Sequence, residues 1–319
     1  MRLLLTGSNG FIGGRVAARA RERGWDVVGV GRAAEPASAV AKYVRADLTQ
    51  GLRLGERVDA VLHCAALASP WAAPQAFWTA NVDATRVVLD WARAHGTPPV
   101  AYVSSSSVFY TRSDQLGLTE ASPIPPDERQ INVYSRTKLA GERLARGYPG
   151  RWSVLRPRAV IGAGDPVVLP RLVRAARRGV LPLFVRPGDA PVVCDLSDVD
   201  TTAEYLLRAL EREAGGDFNL TNGTPVELYP FLSDVLARLG IPAPTRRMPV
   251  ALAMALAGAA QRASARFGGY REPPITQFGV SMFAWSKTFD IARTRTVLGE
   301  PAVGLDECVD RIVAWWGSR

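Results

Sequence analysis

The chain has 319 residues, of which 47% are apolar and 22% are charged. This composition is typical of a folded globular protein and excludes a largely disordered chain. The net charge is +9, and all but three of the 39 basic residues are arginines spread along the sequence without a block. Because nucleic-acid-binding proteins concentrate their positive charge in patches, we expect no nucleic-acid partner.

Cysteine usage and hydropathy narrow the class of protein further. The cysteines are odd in number and far apart, and the only histidines are His63 and His95. This argues against a zinc site or a disulfide framework, so we predict no metal and a cytoplasmic location. No signal peptide is recognised, because the first apolar residues run directly into a glycine turn. The longest apolar run, residues 248–260, is too short to span a bilayer and predicts a buried or groove-lining helix.

Strand and helix patterns alternate through the first half of the chain. The predicted elements are strands at 3–5, 26–30, 58–63, 100–104 and 154–160 and helices at 11–23, 82–95 and 134–148. Strands that alternate with helices of about ten to fifteen residues indicate βαβ units and a parallel sheet. We therefore predict an α/β fold with a doubly wound parallel sheet.

Beyond residue 160 the alternation loosens, and prolines punctuate residues 166–191. Helices are predicted at 169–178, 199–212, 225–239 and 250–267, and a strand at 218–221. We expect residues 1–165 to form the sheet domain, with residues 192–222 returning to it. Residues 166–191 and 223–319 would then form a smaller, mostly helical C-terminal substrate domain.

A glycine-rich turn separates the first predicted strand from the first helix. Gly7, Gly10 and Gly13 have the spacing in which the first glycine permits a tight turn and the second lets backbone N–H groups approach a pyrophosphate. The third lets the helix pack closely on the strand, and the helix N-terminus supplies oriented donors. The alternative is a glycine-rich turn without a ligand. The strand–turn–helix context favours a dinucleotide-binding Rossmann domain over residues 1–165.

The end of the second strand bears on cofactor choice. It reads Gly31-Arg32, without the carboxylate that usually holds the ribose 2′-hydroxyl of NAD. Arg32 suits the 2′-phosphate of NADP, so we prefer NADP and keep NAD as the alternative, since Arg32 could be a solvated surface residue. Asp47 and Leu48, after the next strand, are placed to hold the adenine edge.

Tyr134 and Lys138 are the candidate proton-transfer residues. Their i, i+4 spacing places phenol and ammonium on one helix face. A free tyrosine titrates near pH ~10, and a nearby ammonium would lower that pKa. Upstream, serines 104–107 follow a strand at the edge of the sheet where α/β folds bind ligands, so a hydroxyl there can hold the substrate oxygen. Each pattern alone also arises by chance or as a polar loop.

Together these segments resemble the extended short-chain dehydrogenase/reductase family, closest to its 3β-hydroxysteroid dehydrogenase-like branch. The matching stretches are TGSNGFIG (6–13), ADL (46–48), HCAA (63–66), TANVDATRVVL (79–89), SSSSV (104–108), YSRTK (134–138), LRPRAVIG (155–162) and the C-terminal FDIARTRTVLGEP (289–301). The resemblance implies that Ser105 is the catalytic serine. The further cofactor-binding residues it implies are Asn9, Phe11, Ile12, Ala65, Ala66, Asn81, Tyr134, Lys138, Pro157 and Val160.

The resemblance implies an NAD(P)-dependent oxidoreductase that interconverts a secondary alcohol and a ketone on a hydrophobic small molecule. The apolar run 248–260, with Trp71 and Trp78, favours a hydrophobic pocket, although these residues could equally be core. A nucleotide-sugar 4-epimerase is the enzymatic alternative, weakened by Cys194 where such enzymes usually carry an arginine before the aspartate. Nucleotide-sugar 4,6-dehydratases carry Thr-Asp-Glu where this chain has serines 105–107. A non-catalytic NAD(P)-sensing protein is the alternative from another class.

The family also implies a homodimer built on two helices, those predicted at 82–95 and 134–148. The apolar candidates for that interface are Val87, Val88, Trp91, Leu139 and Leu144. The same residues could instead pack within one chain.

Overall fold

The computed structural model of the protein describes residues 1–188 and 190–318. The strands are β1 (Arg2–Thr6), β2 (Asp26–Gly31), β3 (Lys42–Arg45), β4 (Ala60–His63), β5 (Val100–Val103), β6 (Gln115–Leu118), β7 (Trp152–Pro157), β8 (Val160–Ile161), β9 (Leu183–Val185), β10 (Val193–Cys194), β11 (Ser197–Asp198), β12 (Gly216–Leu220), β13 (Val226–Glu227), β14 (Arg247–Pro249) and β15 (Lys287–Phe289). The helices are α1 (Phe11–Glu22), α2 (Pro74–Trp78), α3 (Ala84–Ala94), α4 (Val133–Arg146), α5 (Val168–Arg177), α6 (Val199–Glu211), α7 (Leu228–Arg238), α8 (Val250–Phe267), α9 (Gln277–Ala284), α10 (Ala292–Leu298) and α11 (Leu305–Gly317).

A parallel sheet forms the centre of the fold. Across the described residues its seven strands lie in the order β12-β7-β5-β4-β1-β2-β3. Strands covered on both faces read as continuous apolar runs, as Leu3, Leu4 and Leu5 do in β1. The strand order reverses between β1 and β4, and ligands of such sheets bind at the carboxyl ends of the strands beside that point. The predicted α/β doubly wound fold is confirmed.

Helices cover both faces of this sheet. Leu3 and Leu5 pack with Val16 of α1 and Leu206 of α6 on one face. Leu4 lies on the other face, in the cluster that contains Val88 of α3. The period-two alternation of β1 therefore divides its side chains between the two layers.

The C-terminal half adds a smaller sheet in the order β13-β10-β15-β6. Strand β6 comes from the first half of the chain, so this sheet crosses the predicted boundary at residue 165. The C-terminal region therefore contains this small sheet beside its helices. Strand β12 pairs with β7, in agreement with a return of the chain to the central sheet. Assignment of these regions to a cofactor and a substrate domain stays a prediction.

Helix α8 differs from its prediction. Val250, Ala253 and Ala257 are buried against α9, but Leu252 and Leu256 are 51% and 48% exposed. Of the two predicted alternatives, a buried or a groove-lining helix, the first is therefore wrong for the outer face of α8. Among the described residues, no helix is long and apolar enough to cross a membrane.

Two predicted bounds are also displaced. The helix expected to start at residue 82 begins at Pro74, because α2 runs through a π-helical turn, Thr79–Asp83, into α3. Proline is well placed in the first turn of a helix, where its missing N–H costs no hydrogen bond. The strand expected over 154–160 ends at Pro157, because Ala159 has a left-handed φ of 40°.

A buried ion pair fixes α4 to the central sheet. The Arg156 guanidinium on β7 donates from Nε and Nη2 to both Glu142 oxygens at 2.8 Å, and both side chains are fully buried. The Ser104 hydroxyl donates to the same carboxylate at 2.6 Å. Burial alone would raise the pKa of Glu142, but the hydrogen bonds and charge of Arg156 outweigh it, so the pKa is lowered. Close approach of α4 also requires Gly141, where a Cβ would lie 2.1 Å from the Tyr102 hydroxyl.

Glu142→Gln removes a carboxylate that accepts two hydrogen bonds from Arg156 and leaves Asp217, 2.8 Å from Arg156 Nη2, as the remaining acidic partner of the guanidinium. We expect the free energy of unfolding at neutral pH to fall by about 1.5–3 kcal/mol, the range for hydrogen bonds to a charged group. The pKa of Glu142 is lower in the folded state than in the unfolded state. The stability that ionised Glu142 contributes is therefore fully present above its unfolded-state pKa of about 4.3, and it is lost as the pH falls through the folded-state pKa. Denaturant unfolding from neutral pH to about pH 3 should therefore show the two proteins converging.

Asp83→Asn is the matched control, because Asp83 forms an ion pair with Arg86 in which both side chains are about half exposed. Its effect should stay below about 1 kcal/mol. A stability difference for Glu142→Gln that persists undiminished in acid would contradict the assignment of the effect to this charge.

Candidate active site

The glycine turn between β1 and α1 has the predicted geometry. Gly7 has a φ of 70°, and its N–H donates to the Val30 carbonyl at 2.8 Å. A Cβ on Gly13 would lie 2.2 Å from the Gly7 carbonyl oxygen, so this helix–strand contact requires glycine. Gly10 caps α1 without a side-chain hydrogen bond, and the first turn carries no acidic residue. The N–H groups that open α1 at Phe11 and Ile12 therefore fit a phosphate ligand.

The adenosine end of the crevice lies at the carboxyl ends of β2 and β3. Asn9 braces the loop after β2, accepting from Ala37 N and donating to the Glu35 carbonyl, both at 3.0 Å. Asp47 accepts from the Thr49 side chain and backbone; these bonds lower its pKa, and Arg32 adds a smaller electrostatic effect.

Arg32 is exposed and close enough to Asp47 to act on it. The side chain of Leu48 belongs to the core, where it packs with Leu4 and Val88. The position of Asp47 and Arg32 fits an adenosine site, whereas Leu48 can contribute only backbone or the edge of its side chain.

Asn81 fastens the loop after β4 to α4. It lies in the π-helical turn, accepts from Leu67 N at 2.7 Å and donates to Thr137 Oγ1 at 3.0 Å. In the same loop, Ala65 N donates to Thr6 Oγ1 at 3.2 Å, and a Cβ on Gly7 would meet Ala65 at 2.9 Å. Ala65 therefore borders the glycine turn, and Ala66 beside it is exposed. A π-helical turn at this point fits a functional site.

The four serines after β5 have four different partners. Ser104 donates to Glu142, and Ser106 lies 2.8 Å from the Tyr110 hydroxyl. Ser107 lies 3.0 Å from Ser105 Oγ. Ser105 is half-buried and lies close enough to the Tyr134 phenol to lower the pKa of that phenol. Among these serines, Ser105 is the one that faces Tyr134.

Tyr134 stands in the first turn of α4, which Asn132 caps by accepting from Ser135 N at 2.8 Å. Its ring lies 6.3 Å from that of Phe77. Burial raises the pKa of Tyr134, and Tyr110 adds to the rise, while Ser105 opposes it. Lowering of the Tyr134 pKa by Lys138 together with an oxidised nicotinamide stays a prediction.

Lys138 lies one turn further into the fold and is 2% exposed. Its Nζ donates to the Val103 carbonyl at 2.6 Å and lies 4.3 Å from the centre of the Tyr102 ring. Burial lowers the pKa of Lys138 to about 7, with Glu142 opposing the shift. The ammonium also acts electrostatically on His63, whose pKa burial lowers to about 3. Lys138 therefore lies between the ends of β4 and β5, one strand away from the strand-order reversal between β1 and β4.

The segment after β7 closes the same edge. Pro157 is buried at the end of the strand, and the left-handed φ of 40° at Ala159 turns the chain. Val160, the first residue of β8, then pairs with Ser197 of β11. Gly162, just after this segment, lies beside the start of α1, since a Cβ on Gly162 would lie 3.6 Å from the Phe11 ring.

Several residues that shape this site lack a recognisable sequence signal. Glu142 continues the Tyr134–Lys138 stripe at i+4, which the helical period could have indicated. Phe77 and Tyr110 reach Tyr134 only through tertiary contacts, and Arg158 is one arginine among many in the sequence. No cluster of metal-ligating side chains occurs within the described residues.

Comparison with known proteins agrees with this architecture. The NAD dependent epimerase/dehydratase family matches residues 3–221. A 3beta-hydroxysteroid-dehydrogenase/decarboxylase of Arabidopsis thaliana is 30% identical over 86% of this chain and 67% of its own length. A 2-alkyl-3-oxoalkanoate reductase of Stenotrophomonas maltophilia is 29% identical over 98% of this chain and 99% of its own.

Solved structures share the fold. A UDP-glucose 4-epimerase from Brucella ovis in complex with NAD superimposes with a TM-score of 0.75 at 24% identity, over 99% of this chain and 98% of the other. The glycine turn, the serine strand end and the tyrosine–lysine helix all lie at the edge where such folds bind ligands. The chain belongs to the NAD dependent epimerase/dehydratase family, and it is an NAD(P)-dependent enzyme of the extended short-chain dehydrogenase/reductase type.

Proposed function

We propose that the protein interconverts a secondary alcohol and a ketone on a hydrophobic small molecule, with NADP as its preferred cofactor. The observation that carries the proposal is the contact of the Ser105 hydroxyl with the Tyr134 phenol at the carboxyl edge of the sheet. When bound, the nicotinamide supplies or accepts the hydride. The rest of the chemistry is proton transfer and orientation by side chains of this chain.

In the proposed mechanism Tyr134 moves the proton and Ser105 orients the substrate. The Ser105 hydroxyl donates a hydrogen bond to the substrate oxygen, and the Tyr134 phenol delivers the proton to that oxygen in reduction or removes it in oxidation. Lys138 can donate up to three hydrogen bonds, of which the Val103 carbonyl takes one. The others are available to hold the cofactor ribose and to stabilise a phenolate at Tyr134.

The surroundings of Tyr134 support a hydrophobic substrate. Phe77 is buried and faces the phenol. Trp71, in the loop after β4, donates from Nε1 to Ser264 of α8 at 3.0 Å and lies 5.9 Å from the Tyr270 ring. This contact draws the apolar helix α8 to the edge of the crevice. The names of the steroid dehydrogenase and alkyl-oxoalkanoate reductase relatives agree with a substrate of this kind.

Two alternatives have weaker support. A nucleotide-sugar 4-epimerase would use the same three residues, but the arginine usual before the aspartate is Cys194, which is buried. A non-catalytic NAD(P)-sensing protein would be marked by loss of the tyrosine or lysine, and both are present. Turnover of a simple ketone distinguishes the oxidoreductase from either alternative.

A homodimer formed through α3 and α4 stays a proposal, and fewer apolar residues are available for its interface than the sequence indicated. Val88, Trp91 and Leu139 are buried inside the chain, where Trp91 Nε1 donates to the Leu54 carbonyl at 2.8 Å. Of the apolar candidates, Val87 and Leu144 are half-buried and remain available to a partner.

Tyr134→Phe should lower turnover of a hydrophobic ketone by about 10²-fold or more, because only the proton donor is removed. The dissociation constant for NADPH should be nearly unchanged. Steady-state kinetics with 2-undecanone and a fluorescence titration measure the two effects. Tyr205→Phe is the control, because its hydroxyl is buried in α6 without a partner among the described residues. Near-wild-type turnover by Tyr134→Phe would exclude the mechanism.

Lys138→Met should lower activity and NADPH affinity while stabilising the free protein. Burial lowers the pKa of Lys138 to about 7, so at neutral pH the buried ammonium destabilises the fold relative to an unfolded lysine with its pKa near ~10.4. We expect Tm to rise by at least about 2 °C, equivalent to roughly 1 kcal/mol. Calorimetry and NADPH titration measure both changes, with Lys42→Met, a half-exposed lysine, as control. An unchanged NADPH affinity would show that Lys138 does not hold the ribose.

Arg32→Ala should weaken NADPH binding by about tenfold and leave NADH binding unchanged. An arginine–phosphate contact at an exposed position is screened by solvent, so the gain is held to about 1.4 kcal/mol. Titrations with both nucleotides at matched ionic strength measure the preference. Arg53→Ala, which removes an exposed arginine elsewhere on the surface, controls for overall charge. Equal NADPH and NADH affinities in the wild type would mean that Arg32 points away from the ribose.

A further inference from the structure

Three cations from separate elements lie together beyond Tyr110. Arg158 follows β7, Lys287 belongs to β15 and Arg186 follows β9. Lys287 Nζ lies 5.7 Å from the Tyr110 ring centre, and the Arg158 guanidinium lies 5.4 Å from it. Burial lowers the pKa of Lys287 to about 8, and Arg158 and Arg186 add to this by repulsion. The three side chains therefore form one cationic cluster.

Arg158 is the member of this cluster without a partner. It is 2% exposed, and its Nε is fully buried with no hydrogen bond. Within residues 1–188 and 190–318, no hydrogen bond or ion pair involves its guanidinium, and the Tyr110 ring is its direct contact. Arg186 likewise has Nε and Nη2 buried without a partner. A buried guanidinium is costly unless a hydrogen-bonded anion compensates it, so these donors point to a ligand.

The carboxylates nearby do not satisfy these donors. Asp114 accepts from Arg186 Nη1 at 2.8 Å and from Ser286 N at 2.7 Å. Asp195 accepts from Phe289 N at 2.7 Å and from Thr221 Oγ1 at 3.3 Å. Lys287 donates to the Ser113 carbonyl. Two carboxylates thus face three cations, and Asp195 acts on Arg158 only electrostatically, without a hydrogen bond to its guanidinium.

The cluster borders the candidate active site. The Arg158 guanidinium lies over the Tyr110 ring. The Tyr110 hydroxyl lies 2.8 Å from Ser106 Oγ, and Tyr110 acts electrostatically on Tyr134. Arg158 itself follows Pro157, the last residue of β7. Tyr110 therefore lies between the cationic cluster and the proton-transfer residues.

We propose that Arg158, assisted by Arg186 and Lys287, binds a carboxylate on the substrate, so that the enzyme acts on oxo or hydroxy acids with a hydrophobic chain. This inference rests on the proposed function for its catalytic step, but the anion site itself does not. Arginine suits this role because its planar guanidinium can hold a carboxylate through two parallel hydrogen bonds. The carboxylate would supply the missing partner and fix the position of the ketone relative to Tyr134.

The test compares 3-oxododecanoate with 2-undecanone, which presents the same alkyl ketone without the carboxylate. Wild-type enzyme with NADPH should prefer the acid by at least about tenfold in kcat/KM, mainly through KM. In Arg158→Gln that preference should collapse by at least about tenfold, and Arg158→Lys should restore part of it. Arg262→Gln, on the exposed face of α8, is the control and should leave the preference unchanged. Equal preference in the wild type, or a preference that survives in Arg158→Gln, would overturn the proposal.

A binding measurement separates this inference from the proposed function. Decanoate should bind the protein–NADP⁺ complex in calorimetry, and Arg158→Gln should weaken that binding by at least about tenfold, with its Tm confirming a folded variant. If neither ketone nor acid is reduced, the proposed function fails, and the decanoate titration still decides the site. Tighter binding of decyl phosphate than of decanoate would overturn the assignment to a carboxylate.

Discussion

The ion pair between Glu142 and Arg156 is the constraint on which the candidate site depends. Tyr134, Lys138 and Glu142 follow one another at intervals of four, so they form a single stripe on α4. Glu142 is bonded through two parallel hydrogen bonds to Arg156 on the central sheet. Holding the inner end of the stripe at β7 sets the depth and rotation of the helix. Those two quantities decide where the Tyr134 phenol stands relative to Ser105.

The site carries a thermodynamic cost in the form of buried charge. Lys138 is buried with a lowered pKa, and Arg158 is buried without an anion. Elsewhere the sheet is lined by apolar runs such as Leu3 to Leu5. Strain and unpartnered charge concentrate at functional positions because a ligand can relieve them there. The left-handed backbone at Ala159, between Pro157 and Val160, belongs to the same pattern.

The family match and the proposed substrate site overlap only in part. The family match covers residues 3–221, which contain the central sheet and the proton-transfer residues. The cationic cluster draws Lys287 from β15, outside that stretch, and Arg158 and Arg186 from within it. The proton-transfer residues support hydride transfer, and the side chains beyond Tyr110 form the proposed contact with the substrate.

The sequence by itself determined the order of strands and helices, the parallel sheet and the glycine turn, because local periodicity and turn chemistry carry those features. It also indicated Tyr134 and Lys138 through their spacing on one helix. It could not distinguish serines 104–107 by role, since adjacent serines are chemically alike and differ only in the partners that folding brings to them. Nor could it reveal the direction of the Tyr134 pKa, which depends on burial and on where the Lys138 ammonium is bonded. The strand β6 that joins the C-terminal sheet, the exposed face of α8 and the unpartnered Arg158 were decided by tertiary structure alone. Each depends on contacts between segments far apart in the chain, for which a local pattern holds no information.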